Sequence, residues 1–130
     1  MKKVITFGTF DLFHIGHLKL LERAKQEGNY LIVGISSDEL NGKKGKKSVF
    51  PLAERLEIVR SIKFVDEVFV EESLELKDEY IKTYSADILV MGDDWKDKFN
   101  WVSCPVKYLE RTPNISTTYL KNSIAMVYKD

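Results

Sequence analysis

Cysteine is nearly absent from this sequence. Cys104 is the single cysteine among 130 residues, which excludes an internal disulfide framework and a metal site built from several cysteines. Net charge is absent as well, because Lys and Arg together number 20 and Asp and Glu together number 20. A balanced chain does not coat nucleic acid or an anionic membrane through bulk charge. The balance still permits a local anion site, since a sum does not describe a distribution.

Long apolar segments are missing too. The longest apolar stretches, 30–35 and 88–91, are far shorter than a membrane span. Two lysines at the start precede an apolar stretch that stops at Gly8, so no signal-peptide core follows. A composition with 44% hydrophobic and 31% charged residues is typical of a folded domain. We therefore expect one soluble, cytoplasmic domain over residues 1–130, with no membrane and no nucleic acid among its partners.

Short apolar segments alternate with helical patterns along the chain. Buried strands are predicted over 3–7, 30–35, 65–70, 87–91 and 106–109. Helices are predicted over 17–28, 51–62, 76–84 and 117–126, and a Gly/Lys loop over 41–48. This alternation predicts an α/β fold, a single Rossmann-like doubly wound parallel sheet of about five strands with flanking helices. Ligands of such folds bind beyond the carboxyl ends of the strands.

Both histidines lie in the loop after the first strand, at His14 and His17. Imidazoles three residues apart at a helix start can face one side, donate to phosphate oxygens and stabilise charge in phosphoryl-type transfer. Gly8 would let a ligand approach the backbone, Thr9 could bond a phosphate, and Asp11 could hold a histidine or a metal ion. Purely structural hydrogen bonds are the alternative for the histidines. A zinc site is not expected, because the His-Glu-x-x-His pattern is absent.

Charge is segregated along the chain. Residues 41–63 contain seven basic and two acidic residues, a local net of +5. Positive charges placed this close repel one another unless a polyanion offsets them. One interpretation is therefore a flexible lid that closes over a triphosphate, and the alternative is a solvated lysine loop. Residues 66–79 contain seven acids and one lysine and are interpreted as a solvated helix and loop.

Two more loops at predicted strand ends carry polar chemistry. Asp93 and Asp94 could bind Mg²⁺, orient a basic group or accept from a hydroxyl, and a simple turn cap is the alternative. Ser116 or Thr117 opens the last helix, and Arg111 adds a fork of donors near it, which predicts a second anion site.

Four segments together resemble a known family. The sequence GTFD at 8–11 followed by HIGH at 14–17 resembles the first signature of the HxGH nucleotidyltransferases. The sequence RTPNISTT at 111–118 resembles their second signature, RTxxIST. With MGDDW at 91–95 and the order of elements, the chain is most similar to the bacterial glycerol-3-phosphate cytidylyltransferase branch.

The resemblance implies a role for each matching residue. Catalytic roles are implied for His14, His17, Lys44 and Arg111. Nucleotide-binding roles are implied for Gly8, Thr9, Phe10, Asp11, Gly16, Lys46, Asp94, Thr112, Ile115, Ser116 and Thr117. Acceptor-binding roles are implied for Arg55, Lys63 and Asp66. Arg55 and Lys63, expected on one helical face, would hold the acceptor phosphate, and Asp66 would lie near the dimer interface and the active site.

The implied reaction moves CMP from CTP onto a small phosphomonoester, sn-glycerol 3-phosphate, and gives CDP-glycerol and pyrophosphate. Mg²⁺ is expected as cofactor with the CTP and not in a protein-only site, with Asp11 or Asp94 as its nearest candidates. A homodimer and a place in wall teichoic acid or capsule biosynthesis are further implications of the resemblance. A transferase using ATP or another phosphorylated acceptor, and a non-catalytic nucleotide sensor, are the alternatives.

Overall fold

The computed structural model, which describes residues 1–110 and 117–127, contains a five-stranded parallel sheet. The strands are β1 (Lys3–Gly8), β2 (Tyr30–Ser36), β3 (Glu67–Glu71), β4 (Ile88–Gly92) and β5 (Val106–Leu109). They lie in the order β3-β2-β1-β4-β5, and every neighbouring pair is parallel. The predicted doubly wound α/β fold is confirmed.

The helices are α1 (Ile15–Lys25), α2 (Asp38–Lys43), α3 (Leu52–Arg60), α4 (Lys77–Thr83) and α5 (Thr117–Val127). Short 3₁₀ turns cover Leu74–Leu76 and Asp93–Trp95. The longest described helices, α1 and α5, have 11 residues each, and none of the helices in the described ranges could cross a membrane.

Side chains alternate between two cores on the two faces of the sheet. On β1, Val4 packs into a cluster with Leu21 of α1 and Val59 of α3. Ile5, the next residue, packs into the opposite cluster with Ile81 of α4. Since neighbouring side chains of a strand point to opposite faces, the apolar run of β1 supplies both cores.

The central crevice opens between β1 and β4. Six residue pairs link β1 to β2, whereas only two, Val4–Ile88 and Ile5–Leu89, link β1 to β4. The chain leaves β1 toward β2 on one side, and β4 leads to β5 on the other. This reversal is a topological switch point, the place where open α/β sheets bind ligands.

Two predicted boundaries are wrong in ways that matter for the site. The stretch 41–48 was predicted as loop throughout, but its first residues belong to α2. Helix α2 begins after Ser37, and the Ser37 hydroxyl accepts a hydrogen bond from the Leu40 N–H at 3.0 Å. Ser37 followed by two acids is an N-cap signal that the neighbouring Gly and Lys residues obscured. Helix α3 ends at Arg60, so Lys63 lies beyond it and does not share a helical face with Arg55.

Candidate active site

A cavity of about 520 Å³ lies at the carboxyl edge of the sheet. Each strand contributes the residues that follow it to the wall of the cavity, and the first turn of α5 closes one side. The lining includes all of the described residues for which catalytic or nucleotide-binding roles were predicted. They are Gly8, Thr9, Phe10, Asp11, His14, Gly16, His17, Lys44, Lys46, Asp94 and Thr117.

His14 and His17 form a stacked pair at the start of α1, with ring centroids 3.9 Å apart. The N–H of Gly16 donates to Nδ1 of His14 at 3.0 Å, and the N–H of His14 donates to Nδ1 of His17 at 3.1 Å. Each ring therefore satisfies one free N–H of the helix start, in the manner of a capping box. The structural hydrogen bonds that were the alternative for these histidines are therefore present, and they do not exclude a role in binding.

The same hydrogen bonds fix the tautomers of the two rings. An Nδ1 that accepts a hydrogen bond in a neutral imidazole leaves the proton on Nε2. Burial lowers the pKa of His14, and burial together with the nearby His14 lowers the pKa of His17 to about 3. Both rings are therefore neutral near pH 7, and each presents one Nε2–H donor on the ring edge opposite its backbone contact.

Aromatic rings hold His17 in place. The ring of Phe10 lies 5.4 Å from that of His17, and the ring of Phe13 lies 5.3 Å from it. Phe10 is buried and has a φ of 54°, a left-handed conformation that is costly for a bulky residue. Its ring also occupies the space above Gly8, where an added Cβ would lie 2.8 Å from it. The space at Gly8 that was expected to admit a ligand is filled by Phe10 instead.

The lysine loop, residues 44–48, is tied to the rest of the cavity wall. The Lys44 ammonium donates to Ser36 Oγ at 3.0 Å and to Thr9 Oγ1 at 3.4 Å. Asn41 accepts from the Thr9 hydroxyl at 3.2 Å. Gly45 takes a φ of 74° just after α2, the usual helix-ending conformation, and separates Lys44 from Lys46. Burial lowers the pKa of Lys44 to about 8.

Asp11 joins three segments of the chain. Its carboxylate accepts from the N–H groups of Val49 at 2.7 Å and Phe50 at 2.9 Å, and Lys121 of α5 lies 3.6 Å away. The hydroxyl of Thr117 donates to the Asp11 carbonyl at 2.9 Å. The oxygens of Asp11 therefore serve α5 and the residues just after the lysine loop, and its roles in holding a histidine or Mg²⁺ stay predictions. Within the described ranges, no cluster of three His, Cys, Asp or Glu residues could hold a metal ion.

Comparison with known proteins assigns this chain to a family. A sequence profile described as cytidylyltransferase-like matches residues 5–123. The chain belongs to the cytidylyltransferase-like family. The glycerol-3-phosphate cytidylyltransferase of Bacillus subtilis is 53% identical over 127 residues, covering 96% of this chain and 98% of that protein. The glycerol-3-phosphate cytidylyltransferase of Staphylococcus aureus is 44% identical over 126 residues, covering 95% of this chain and 96% of that protein.

Among solved structures, a lipopolysaccharide core biosynthesis protein from Thermoplasma volcanium has the same fold. It superposes with a TM-score of 0.73 at 26% identity, over 86% of this chain and 97% of that one. The resemblance drawn from the two signatures is confirmed by these comparisons.

In this member of the cytidylyltransferase-like family, Arg55 does not reach the cavity. Its side chain is 0% exposed. Its guanidinium donates to the carbonyls of Phe50 at 3.0 Å, Thr9 at 3.0 Å and Ser36 at 2.8 Å, and to Asp38 Oδ1 at 2.6 Å. In the structure Arg55 fastens the first loop and the end of β2 to α3, away from the cavity, and its acceptor-binding role stays a prediction.

Lys63 and Asp66 also lie away from the cavity. Lys63 is exposed, and its ammonium stands 5.2 Å from the ring centroid of Phe64. Asp66 accepts from the Leu31 N–H at 2.8 Å and from Lys25 Nζ at 2.6 Å, so it links β2 to α1. Neither residue lines the cavity of this chain, and their acceptor-binding role stays a prediction.

Several cavity residues were missed by the sequence analysis. Lys77 lines the cavity with Glu71, although it was counted as the lone base of a solvated acidic stretch. Arg23 of α1 also lines the cavity and donates to the Glu110 carbonyl at 2.7 Å. Arg23 and Lys121 each lie several residues inside a helix, so no local signal marked them. The position of Lys77 at the start of the first predicted helix after the strand 65–70 was a usable signal.

Four predicted residues of the second signature, Arg111, Thr112, Ile115 and Ser116, lie outside the described residues. The described residues on either side, Glu110 and Thr117, both line the cavity.

Proposed function

We propose that this chain transfers CMP from CTP to sn-glycerol 3-phosphate and releases CDP-glycerol and pyrophosphate. The observation that carries the proposal is the stacked His14–His17 pair, whose two Nε2–H donors stand in a cavity lined by Lys44, Lys46 and Lys121. Relatives named glycerol-3-phosphate cytidylyltransferase, similar over nearly their whole length, support the choice of nucleotide and acceptor.

The nucleophile is an oxygen of the acceptor phosphate, which attacks the α-phosphorus of CTP in line with the departing pyrophosphate. A phosphomonoester has its second pKa at about 6 and is mostly dianionic at neutral pH. No general base is needed, so the chain needs to position the reactants and stabilise charge. Neutral histidines with fixed Nε2–H donors suit this task, because they donate hydrogen bonds to the charge that develops at the α-phosphate.

The charges of the cavity suggest how the substrates divide it. Beyond β2 and β3 the lining carries Lys44, Lys46 and Lys77, and beyond β4 and β5 it carries Asp94 and Trp95. We assign the acceptor and its phosphate to the first side, the nucleoside to the second, and the triphosphate of CTP to the space between them, which Lys44 and Asp94 both line. The histidines follow β1, between the two sides, where the α-phosphate must lie for transfer to occur.

Mg²⁺ is proposed as the companion of CTP. The Asp94 carboxylate is exposed, lines the cavity and accepts no hydrogen bond from any described residue, so it fits the hard oxygen ligand that Mg²⁺ prefers. When bound, the ion would neutralise part of the charge on the phosphates. A homodimer, a cytoplasmic location and a role in wall or capsule biosynthesis are proposed on the resemblance alone.

The test is a panel of substrates with pyrophosphate release as the readout. CTP and ATP are each combined with sn-glycerol 3-phosphate, phosphoethanolamine and phosphocholine. We expect kcat/KM for CTP with glycerol 3-phosphate to exceed every other pair by at least about 100-fold, a difference of about 2.7 kcal/mol in transition-state binding. Preference for another pair would replace the proposed substrates, and CTP binding without turnover on any acceptor would indicate a sensor.

Binding of CTP should weaken at alkaline pH through Lys44. Lys44 loses its positive charge as the pH rises through its pKa of about 8. A bound triphosphate stabilises the charged form of Lys44, so the free protein loses this charge before the complex does. The dissociation constant of CTP, measured by calorimetry without acceptor, should therefore rise about tenfold between pH 7 and pH 9.

The matched control is Lys44→Arg, because a guanidinium keeps its charge over this range. In Lys44→Arg the dissociation constant should change less than about threefold between pH 7 and pH 9, after any weakening that both proteins show has been subtracted. An identical pH dependence in both proteins would show that another group titrates.

A further inference from the structure

The ammonium of Lys77 is enclosed by groups that usually bind a ligand cation. Its Nζ lies 3.7 Å from the ring centroid of Phe7 and 4.5 Å from that of Phe99. The Glu71 carboxylate accepts from it at 2.6 Å. The Lys77 and Glu71 side chains are each 1% exposed, and all four residues line the cavity. We call Phe7, Phe99 and Glu71 the cation cage.

Two aromatic faces and a carboxylate form the arrangement by which proteins recognise ammonium ligands. In this chain the cage is already occupied by an ammonium of the protein itself. Burial lowers the pKa of Lys77, and the neighbouring Glu71 carboxylate opposes that shift. A buried ion pair of this kind is weak evidence for a contribution to stability, because an apolar replacement often does as well. Its place in the wall of the active-site cavity indicates a function instead.

The charged groups of this cluster lie on the side of the cavity beyond β2 and β3, whereas Phe7 belongs to β1 and Phe99 follows β4. Glu71 ends β3, Lys77 begins α4, and Lys44 stands on the same side after β2. The Glu71 charge acts on Lys44 as well as on Lys77. Under the proposed function this is the acceptor side, where the alcohol part of the acceptor must also be held.

We propose that Lys77 determines acceptor specificity by filling the cation cage, which excludes alcohol phosphates that carry an ammonium group and favours a neutral polyol phosphate. This inference rests on the proposed function for the identity of the acceptor. Glu71 takes one of the three N–H donors of the ammonium and two rings stand beside it, so Lys77 acts on the acceptor through its charge. An acceptor ammonium meets a like charge at the place where a cage would otherwise bind it.

The first test asks whether the emptied cage binds a free amine. Lys77→Ala removes the ammonium and leaves the three cage residues in place. In 100 mM ethylammonium chloride, compared with 100 mM sodium chloride, the melting temperature of Lys77→Ala should rise by about 3 °C. The wild type and Lys77→Met, whose thioether fills the cage, should not change. A double variant Lys77→Ala/Phe99→Leu should lose most of the rise, because leucine has no π face.

The second test measures the ratio of kcat/KM for phosphoethanolamine to that for glycerol 3-phosphate. We expect this ratio to increase at least about tenfold in Lys77→Ala and, through loss of the like charge, in Lys77→Met. If Lys77→Ala does not fold, the ratio in Lys77→Met decides.

The outcomes separate the two proposals. An unchanged acceptor ratio, no rise of the melting temperature in Lys77→Ala, or an equal rise in Lys77→Met would overturn the specificity role. A wild type that does not use glycerol 3-phosphate would overturn the proposed function, while the effect of ethylammonium would still report on the cage.

Discussion

Replacing His17 with alanine should lower kcat for CMP transfer about 10²–10³-fold, which is the usual effect of removing one fixed donor to a developing negative charge. The KM for CTP should change only a few-fold, because the lysines that line the cavity, Lys44 and Lys46 among them, remain. Pyrophosphate release at saturating CTP and glycerol 3-phosphate gives kcat directly.

The control for His17→Ala must separate chemistry from folding, because His17 also accepts the His14 N–H at 3.1 Å. Gln at this third helical position keeps a side-chain acceptor for that N–H, as in an ordinary capping box. His17→Gln should therefore recover the stability lost in His17→Ala without recovering kcat. A His17→Ala enzyme that retains half of the wild-type kcat would remove His17 from the mechanism.

Replacing Arg55 with methionine should lower the free energy of unfolding by about 3–5 kcal/mol, because the buried carbonyls of Thr9, Ser36 and Phe50 would lose their donor. Urea denaturation measures the loss. Arg60→Met, on the same helix, removes an exposed arginine paired with Glu57 at 3.4 Å and should change stability by no more than about 0.5 kcal/mol.

The Arg55 experiment also decides between the structure and the sequence-based expectation. An acceptor-binding arginine would raise the KM for glycerol 3-phosphate in Arg55→Met and leave stability nearly unchanged. The buried network predicts the reverse order of effects: large destabilisation, with loss of activity that follows the folded fraction. Wild-type stability together with a raised KM would contradict the structural role.

Local sequence patterns were sufficient to predict the sheet and the position of the first signature. Apolar runs and the glycines that end them predicted β1 and β4, and the rule on strand ends then placed His14, His17, Lys44 and Asp94 around one crevice. These predictions needed only the order of elements, because parallel strands bring their carboxyl ends to one edge.

The features that the sequence did not predict depend on tertiary packing. The sequence does not say that Arg55 turns inward to bind three carbonyls, or that Phe10 covers Gly8. The shared helical face of Arg55 and Lys63 was wrong because α3 stops at Arg60. Lys77 was missed because the acidic residues around it indicate solvent, whereas the fold buries it between two aromatic rings.

The central claim is direct transfer of CMP onto a phosphate oxygen of glycerol 3-phosphate. Its most direct test uses glycerol 3-phosphate labelled with ¹⁸O in the phosphate group, with CTP and mass spectrometry of the products. CDP-glycerol should retain all of the label, including the bridging oxygen, and pyrophosphate should be unlabelled. Label lost from the nucleotide product, or no CDP-glycerol at all, would contradict it.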